Sequence, residues 1–283
     1  MSLVNSKQML LDAQKNKYAV AAFNIENMEM AMAVIYTADQ LHSPVICAVS
    51  QNTLNYANAN VFFGIVKSIA DSVSIPVALH VDHAEKIEVV YNVLRNGFSS
   101  VMIDGSKLPY IDNVGITKKV VEICQIFDIP VEGELGAIGG KEDSLPDKDL
   151  LYTKPETALD FVEHTGVSSL AVAIGTAHGI YKNTPCLDYE RLTAIRNVVD
   201  IPLVLHGASG LSEEQIKECV ARGICKINFA TELRQAFTSA VKKYLSVDSN
   251  VIDPKKMGKM AMEAVSLVVK EKIIQLGSNN RCK

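Results

Sequence analysis

Eight short apolar runs recur along the chain, each followed by a segment with helical spacing, at about 30 residues per unit. They are Ala19 to Asn24, Val45 to Ser50, Ile75 to His83, Phe98 to Asp104, Pro130 to Glu134, Ser168 to Ile174, Ile201 to His206 and Ile224 to Ala230. None alternates apolar with polar residues along most of its length. Continuous apolarity is what a strand buried on both faces requires. Between the runs, Met28, Ala31, Ile35 and Ala38 share one helical face, as do Ile116, Val120, Ile123 and Phe127. A helix is expected from about Ala57 to Ser72, and Ser6 is expected to cap a short one at the N-terminus. Ser212 starts another that Gly223 closes, and Gly97 closes the helix after the third run. Two further helical segments follow the eighth run. Eight regular units favour closure into a (β/α)8 TIM barrel over an open doubly wound sheet. The 283 residues, 48% of them hydrophobic and free of any linker, make one domain spanning 1–283 with additional C-terminal helices.

Composition narrows the partners. A net charge of −4 without a basic cluster argues against nucleic acid. The six cysteines are scattered, with no CxxC pair, and read as reduced buried thiols. Residues 1–11 lack the apolar core of a signal peptide, and no apolar run reaches the ~18 residues that span a bilayer. A cytoplasmic protein with no membrane partner is the expectation.

Active sites of such barrels form where strands pass into helices. Those positions here carry Asn24, Ser50, Asp82-His83, Asp104, Glu134, His178, His206 and Asn228. One polar strand end is a loop contact or helix cap more often than not; eight together make a plain scaffold improbable. His42 and His164 fall late in helices and read as surface residues. His178 and His206 sit in glycine-rich exits. On the third run two histidines compete. His80 matches His206 in the echo Ile75-Pro76-x-x-Leu79-His80 and Ile201-Pro202-x-x-Leu205-His206, whereas His83 lies nearer the rim. Spacing does not choose between them, but three rim imidazoles with a vacant position, the pattern of catalytic zinc, favour His83. The exits of the last two strands, Gly207-Ala208-Ser209-Gly210 and Asn228-Phe229-Ala230-Thr231, occupy the recurring phosphate position of the architecture.

These motifs resemble the class II, metal-dependent fructose/tagatose-bisphosphate aldolases along nearly the whole chain. The matching segments are Ala22-Phe23-Asn24, His80-Val81-Asp82-His83, Val101-Met102-Ile103-Asp104, Glu132-Gly133-Glu134-Leu135-Gly136 and Gly139-Gly140-Lys141-Glu142-Asp143, followed by Gly175-Thr176-Ala177-His178-Gly179, His206-Gly207-Ala208-Ser209-Gly210 and Lys226-Ile227-Asn228. The resemblance implies a catalytic Zn2+ on His83, His178 and His206. It makes Asp82 the group that moves the proton on the substrate's C4 oxygen and Glu142 the carboxylate that moves the C3 proton. It places dihydroxyacetone phosphate on Gly179, Gly207, Ala208, Ser209, Asn228, Phe229, Ala230 and Thr231, with Asn24 and Ser50 also at the substrate. Asp104 and Glu134 are implied either as a second metal site or as hydrogen-bonding partners of ligand histidines; a monovalent cation is an alternative second ion.

Gly175 to Gly179, His206 to Gly210 and Ala230-Thr231-Glu232-Leu233 look like the tagatose branch. Gly133, where alanine is usual, and Phe229, where a β-branched residue is usual, bear on the branch rather than the reaction. The implied substrate is a ketose 1,6-bisphosphate, D-tagatose ahead of D-fructose, cleaved to dihydroxyacetone phosphate and D-glyceraldehyde 3-phosphate. The implied assembly is a homodimer or homotetramer, in some members with a separate non-catalytic subunit. Three rival readings are weighed against this. A Schiff base on Lys226, the one lysine centred in a predicted strand, leaves the rim histidines unexplained. A non-catalytic sugar-phosphate-binding barrel is expected to have lost Asp82 or a ligand histidine. A zinc hydrolase barrel is expected to show His-x-His on its first strand, where Phe23-Asn24 stands.

Overall fold

Each apolar run becomes a strand because its backbone finds partners on both sides and its side chains are covered on both faces. The computed structural model describes residues 3–136, 152–177, 179, 181, 185–247 and 252–282. Strand β1 spans Val20–Asn24, β2 Val45–Ser50, β3 Val77–Ala84 and β4 Ser100–Ile103. Strand β5 spans Val131–Leu135, β6 Ser169–Val172, β7 Leu203–Leu205 and β8 Ile224–Phe229. Every strand pairs in parallel with its sequence neighbour, and β8 closes on β1 from Val20↔Lys226 to Phe23↔Phe229. The (β/α)8 TIM barrel expected above is the fold observed. The last helix, Pro254–Gln275, packs on β1, on the Met28–Gln40 helix and on the Thr231–Val247 helix that precedes it. Among the described residues no helix is long and apolar enough to cross a membrane.

The wall sorts its side chains by parity, as strand geometry requires. Phe23, Cys47, Leu79, Val101, Leu170, Leu205, Ile227 and Phe229 belong to the core between wall and helices. Val20, Ala22, Ile46 and Ala78 form a separate cluster inside the barrel, plugged by Met9, Leu10 and Ala13 of the Ser6–Asn16 helix; Cys225 joins it out of parity because the β7–β8 register shifts at that point. That helix is capped by Asn5, not by Ser6 as expected. The Ser6 hydroxyl is buried and instead lies 2.8 Å from the Ser100 hydroxyl on β4.

Two other local expectations change. The helix expected over about 57–72 is Ala59–Ala70, and an unexpected short helix, Gln51–Tyr56, precedes it across Ala57 in extended conformation. Ser50, ending β2, caps the first by accepting the Thr53 amide at 3.2 Å. Gly133 has a packing reason: a methyl group there would sit 2.8 Å from the Phe161 ring. The ring fills the space that an alanine would need.

Above the apolar plug the interior turns polar. His80, Ser100, Glu132 and Lys226 are all buried inside the wall. Nδ1 of His80 lies 2.8 Å from the Ser100 hydroxyl, extending the contact from Ser6. Burial, reinforced by the Lys226 charge, pushes the His80 imidazole down to about 3. In the unfolded chain it protonates near its ordinary value of about 6.5. Between about pH 6.5 and pH 3 the unfolded state therefore binds a proton that the folded state refuses, so stability present above pH 6.5 is lost as pH falls through that window. Urea midpoints for wild type and His80→Asn are expected to diverge across it, the variant showing the shallower acid slope; parallel slopes would contradict the assignment.

Candidate metal centre

The mouth of the barrel is organised by a local irregularity in β3. Successive strand residues face opposite sides, so Asp82 and His83 cannot both face inward in a regular strand. Here the β3–β4 register shifts between Val81 and Ala84, and His83 takes a left-handed φ of 50°. A bulge of this kind re-aims a side chain. With it, one donor atom from each of Asp82, His83 and His206 lies within 4.8 Å of the others. The His83 and His206 rings meet edge to face with centroids 4.6 Å apart. His206 sits one residue beyond β7, and the turn after it depends on Gly207, whose φ of 69° and 2.6 Å approach of a would-be Cβ to the Ala177 carbonyl exclude a side chain.

Each imidazole is held from behind by a carboxylate. His83 Nδ1 lies 2.8 Å from Asp104 and 3.8 Å from Glu134. His206 Nε2 lies 2.8 Å from Glu132, which in turn accepts the Lys226 ammonium at 2.8 and 3.0 Å. Such partners fix the tautomer and the orientation of each ring, as they do for metal-binding histidines. His83, Asp104 and Glu134 also form a second group within 4.8 Å. The geometry thus brings together Asp82, His83, His206, Asp104 and Glu134 and leaves His80 in the layer beneath. His178 and Glu142 lie outside the described residues, as do Gly139 and Gly140.

Asp82 is the most tightly positioned of these groups. Asn24 donates to one of its oxygens at 2.7 Å and Asn228 to the other at 2.9 Å. Burial works to raise its pKa, yet the His83 and His206 imidazoles and Lys226 hold it well below the carboxylate range. Burial also opposes charge on His83, but Asp82, Asp104 and Glu134 lift that imidazole to about 10. Burial and the neighbouring Asp104 push Glu134 up to about 8. Three buried carboxylates, Asp82, Glu132 and Glu134, and the half-buried Asp104 crowd around two imidazoles and one lysine, and the upward shift of Glu134 reflects that crowding of negative charge. The donor set therefore fits a divalent cation.

Lys226 is committed elsewhere. Its ammonium is buried and paired to both oxygens of Glu132, so it carries no free amine for a Schiff base. Breaking a buried pair by removing one partner costs about 3–5 kcal/mol, because the remaining charge is stranded. Lys226→Met is expected to lose that much stability in urea titrations, with the double change Lys226→Met, Glu132→Leu less damaging. A single variant as stable as wild type would contradict the pairing.

The exits of β7 and β8 are close-packed. Ala208, Ser209, Asn228 and Phe229 are buried. The Phe229 ring stacks against Phe23 in the wall–helix core, so only its backbone can reach a ligand. Tyr181 was not foreseen: its hydroxyl accepts the Ala177 amide at 2.7 Å and donates to the Gly207 carbonyl at 2.6 Å, joining the exits of β6 and β7. Beside the exits of β1, β2 and β8 at the same mouth, Ser50 bonds Thr53, Thr53 donates to Glu26 at 2.8 Å, and Arg234 pairs with Glu26. No motif flags Glu26, because its partners are distant in sequence.

The chain matches known proteins over its whole extent. The family model described as "Fructose-bisphosphate aldolase class-II" covers residues 4–281. The crystal structure of the YdjI aldolase from Escherichia coli K12 superposes with a TM-score of 0.89 at 36% identity, covering 99% of this chain and 100% of that one. A fructose-bisphosphate aldolase from Campylobacter jejuni superposes with a TM-score of 0.84 at 23% identity, covering 99% and 97%; at that identity the likeness speaks for the fold.

Proposed function

This chain belongs to the class-II fructose-bisphosphate aldolase family, and from that premise we propose that it cleaves a ketose 1,6-bisphosphate reversibly, D-tagatose 1,6-bisphosphate ahead of its D-fructose epimer. The observation that carries the reading is Asp82, pinned through both oxygens by Asn24 and Asn228 beside the two carboxylate-backed imidazoles. His83, His206 and His178 would hold the metal, and three imidazoles with an open position suit zinc. When bound, the ion supplies Lewis-acid polarisation of the ketose carbonyl.

The chain's own residues do the rest. Asp82 accepts the C4 hydroxyl proton as the C3–C4 bond breaks, its electron pair passing toward C2, and glyceraldehyde 3-phosphate leaves. Glu142 returns a proton to C3, giving dihydroxyacetone phosphate. Amides of Gly179, Gly207 to Ser209 and Asn228 to Thr231 hold the C1 phosphate at the N-terminus of the Thr231–Val247 helix. Asp104 and Glu134 support His83, with a second ion at that group as the alternative supported by their 4.8 Å clustering. The homo-oligomeric assembly and cytoplasmic location implied by the resemblance belong to the same proposal. Triose phosphate release from the two C4 epimers, measured side by side, tests the substrate. A higher kcat/KM for tagatose 1,6-bisphosphate is expected; a preference for fructose 1,6-bisphosphate would reassign it.

A further inference from the structure

The phosphate exits contain an unexpected negative charge. Glu232 follows the proposed cradle directly, in the first turn of the Thr231–Val247 helix. Its Oε1 accepts the Gly210 amide at 3.3 Å, so the carboxylate itself uses one of the exit's N–H groups. Its Oε2 is buried with no hydrogen-bond partner among the described residues. A bare carboxylate there would repel a phosphate dianion arriving at the neighbouring amides.

The compensating charge comes from far along the chain. Lys272, near the end of the Pro254–Gln275 helix, is buried, and its ammonium lies 3.1 Å from Glu232 Oε1. It also lies 5.5 Å from the centroid of the Phe229 ring, behind the cradle backbone, and 3.4 Å from the exposed Glu271. A buried lysine is costly unless paired. Nothing in the barrel's closure calls for one at this position; the charge of Glu232 does.

We propose that Lys272 is a positioning residue for substrate phosphate: it neutralises Glu232 and holds it against Gly210, so that the β7 and β8 exits accept a phosphorylated ligand. The inference rests on the reading that these exits bind phosphate, and it gives the C-terminal helix a part in substrate binding. Its sharpest consequence is a dependence between two substitutions. Lys272→Met leaves the Glu232 charge exposed to the phosphate. Glu232→Gln removes the need for Lys272.

The test is calorimetric affinity of the metal-loaded enzyme for dihydroxyacetone phosphate, with KM for ketose bisphosphate alongside. Lys272→Met is expected to weaken binding by about tenfold or more, with the loss in KM rather than kcat, and Lys272→Arg to restore it. The Glu232→Gln, Lys272→Met double variant is expected to bind nearly as well as Glu232→Gln alone. A merely structural lysine would leave the double variant as weak as Lys272→Met, and that result overturns the proposal. So does equal affinity of Lys272→Met and wild type. If wild type itself fails to bind dihydroxyacetone phosphate, the phosphate reading falls first and takes the inference with it. Thermal melts of the double variant and of Lys272→Arg separate misfolding from lost affinity.

Discussion

Replacing Asp82 by alanine is expected to lower the rate of ketose bisphosphate cleavage by about 10²–10⁴-fold while the enzyme still carries its metal. Both oxygens of this carboxylate are aligned by side-chain amides, from Asn24 and Asn228. Those amides donate to a carboxylate and leave it no freedom to turn away. The surrounding imidazoles and Lys226 keep it ionised, and therefore able to receive a proton. Asp82→Asn tests the same point more narrowly, since it preserves shape but cannot accept a proton. Metal content by elemental analysis and single-turnover rates check both variants. Wild-type turnover in either would remove Asp82 from the chemistry.

The second large effect is expected from chelation. Stripping divalent ions should abolish turnover, and adding back Zn2+ should restore it. Borohydride with substrate should trap no covalent adduct, because Lys226, inside the barrel wall, is bound through its ammonium to Glu132. Residual activity after complete chelation, with a borohydride adduct on Lys226, would reverse the argument.

Much of this was legible in the chain. Strands buried on both faces must be apolar throughout, so the eight runs announced themselves and the count of units gave the closure. Polar residues at their C-terminal ends stood out against that background, which is why Asn24, Asp82, His206 and Asn228 were found where the structure brings them together. What escaped has physical reasons. Period-two counting puts His80 on the face of Asp82 and His83 on the other, and the bulge with the left-handed φ of His83 reverses that at the rim. Glu132 shares a face with Glu134, yet its pairing with Lys226 joins residues 94 apart and emerges only when the barrel closes. Ser6 reads as a helix cap by residue type, but the interior offered its hydroxyl a buried partner on β4. Lys272 looks like one more charge on an amphipathic helix until the fold sets it against Glu232.

The central claim is that His83 and His206 share one divalent ion, each through the nitrogen opposite its carboxylate partner. Crystals soaked in Zn2+ and measured at the zinc absorption edge test it most directly. One anomalous peak is expected about 2.0–2.1 Å from Nε2 of His83 and Nδ1 of His206, the usual zinc–imidazole distance. An ion bound through His80 instead, or no ion touching both rings, would contradict the account.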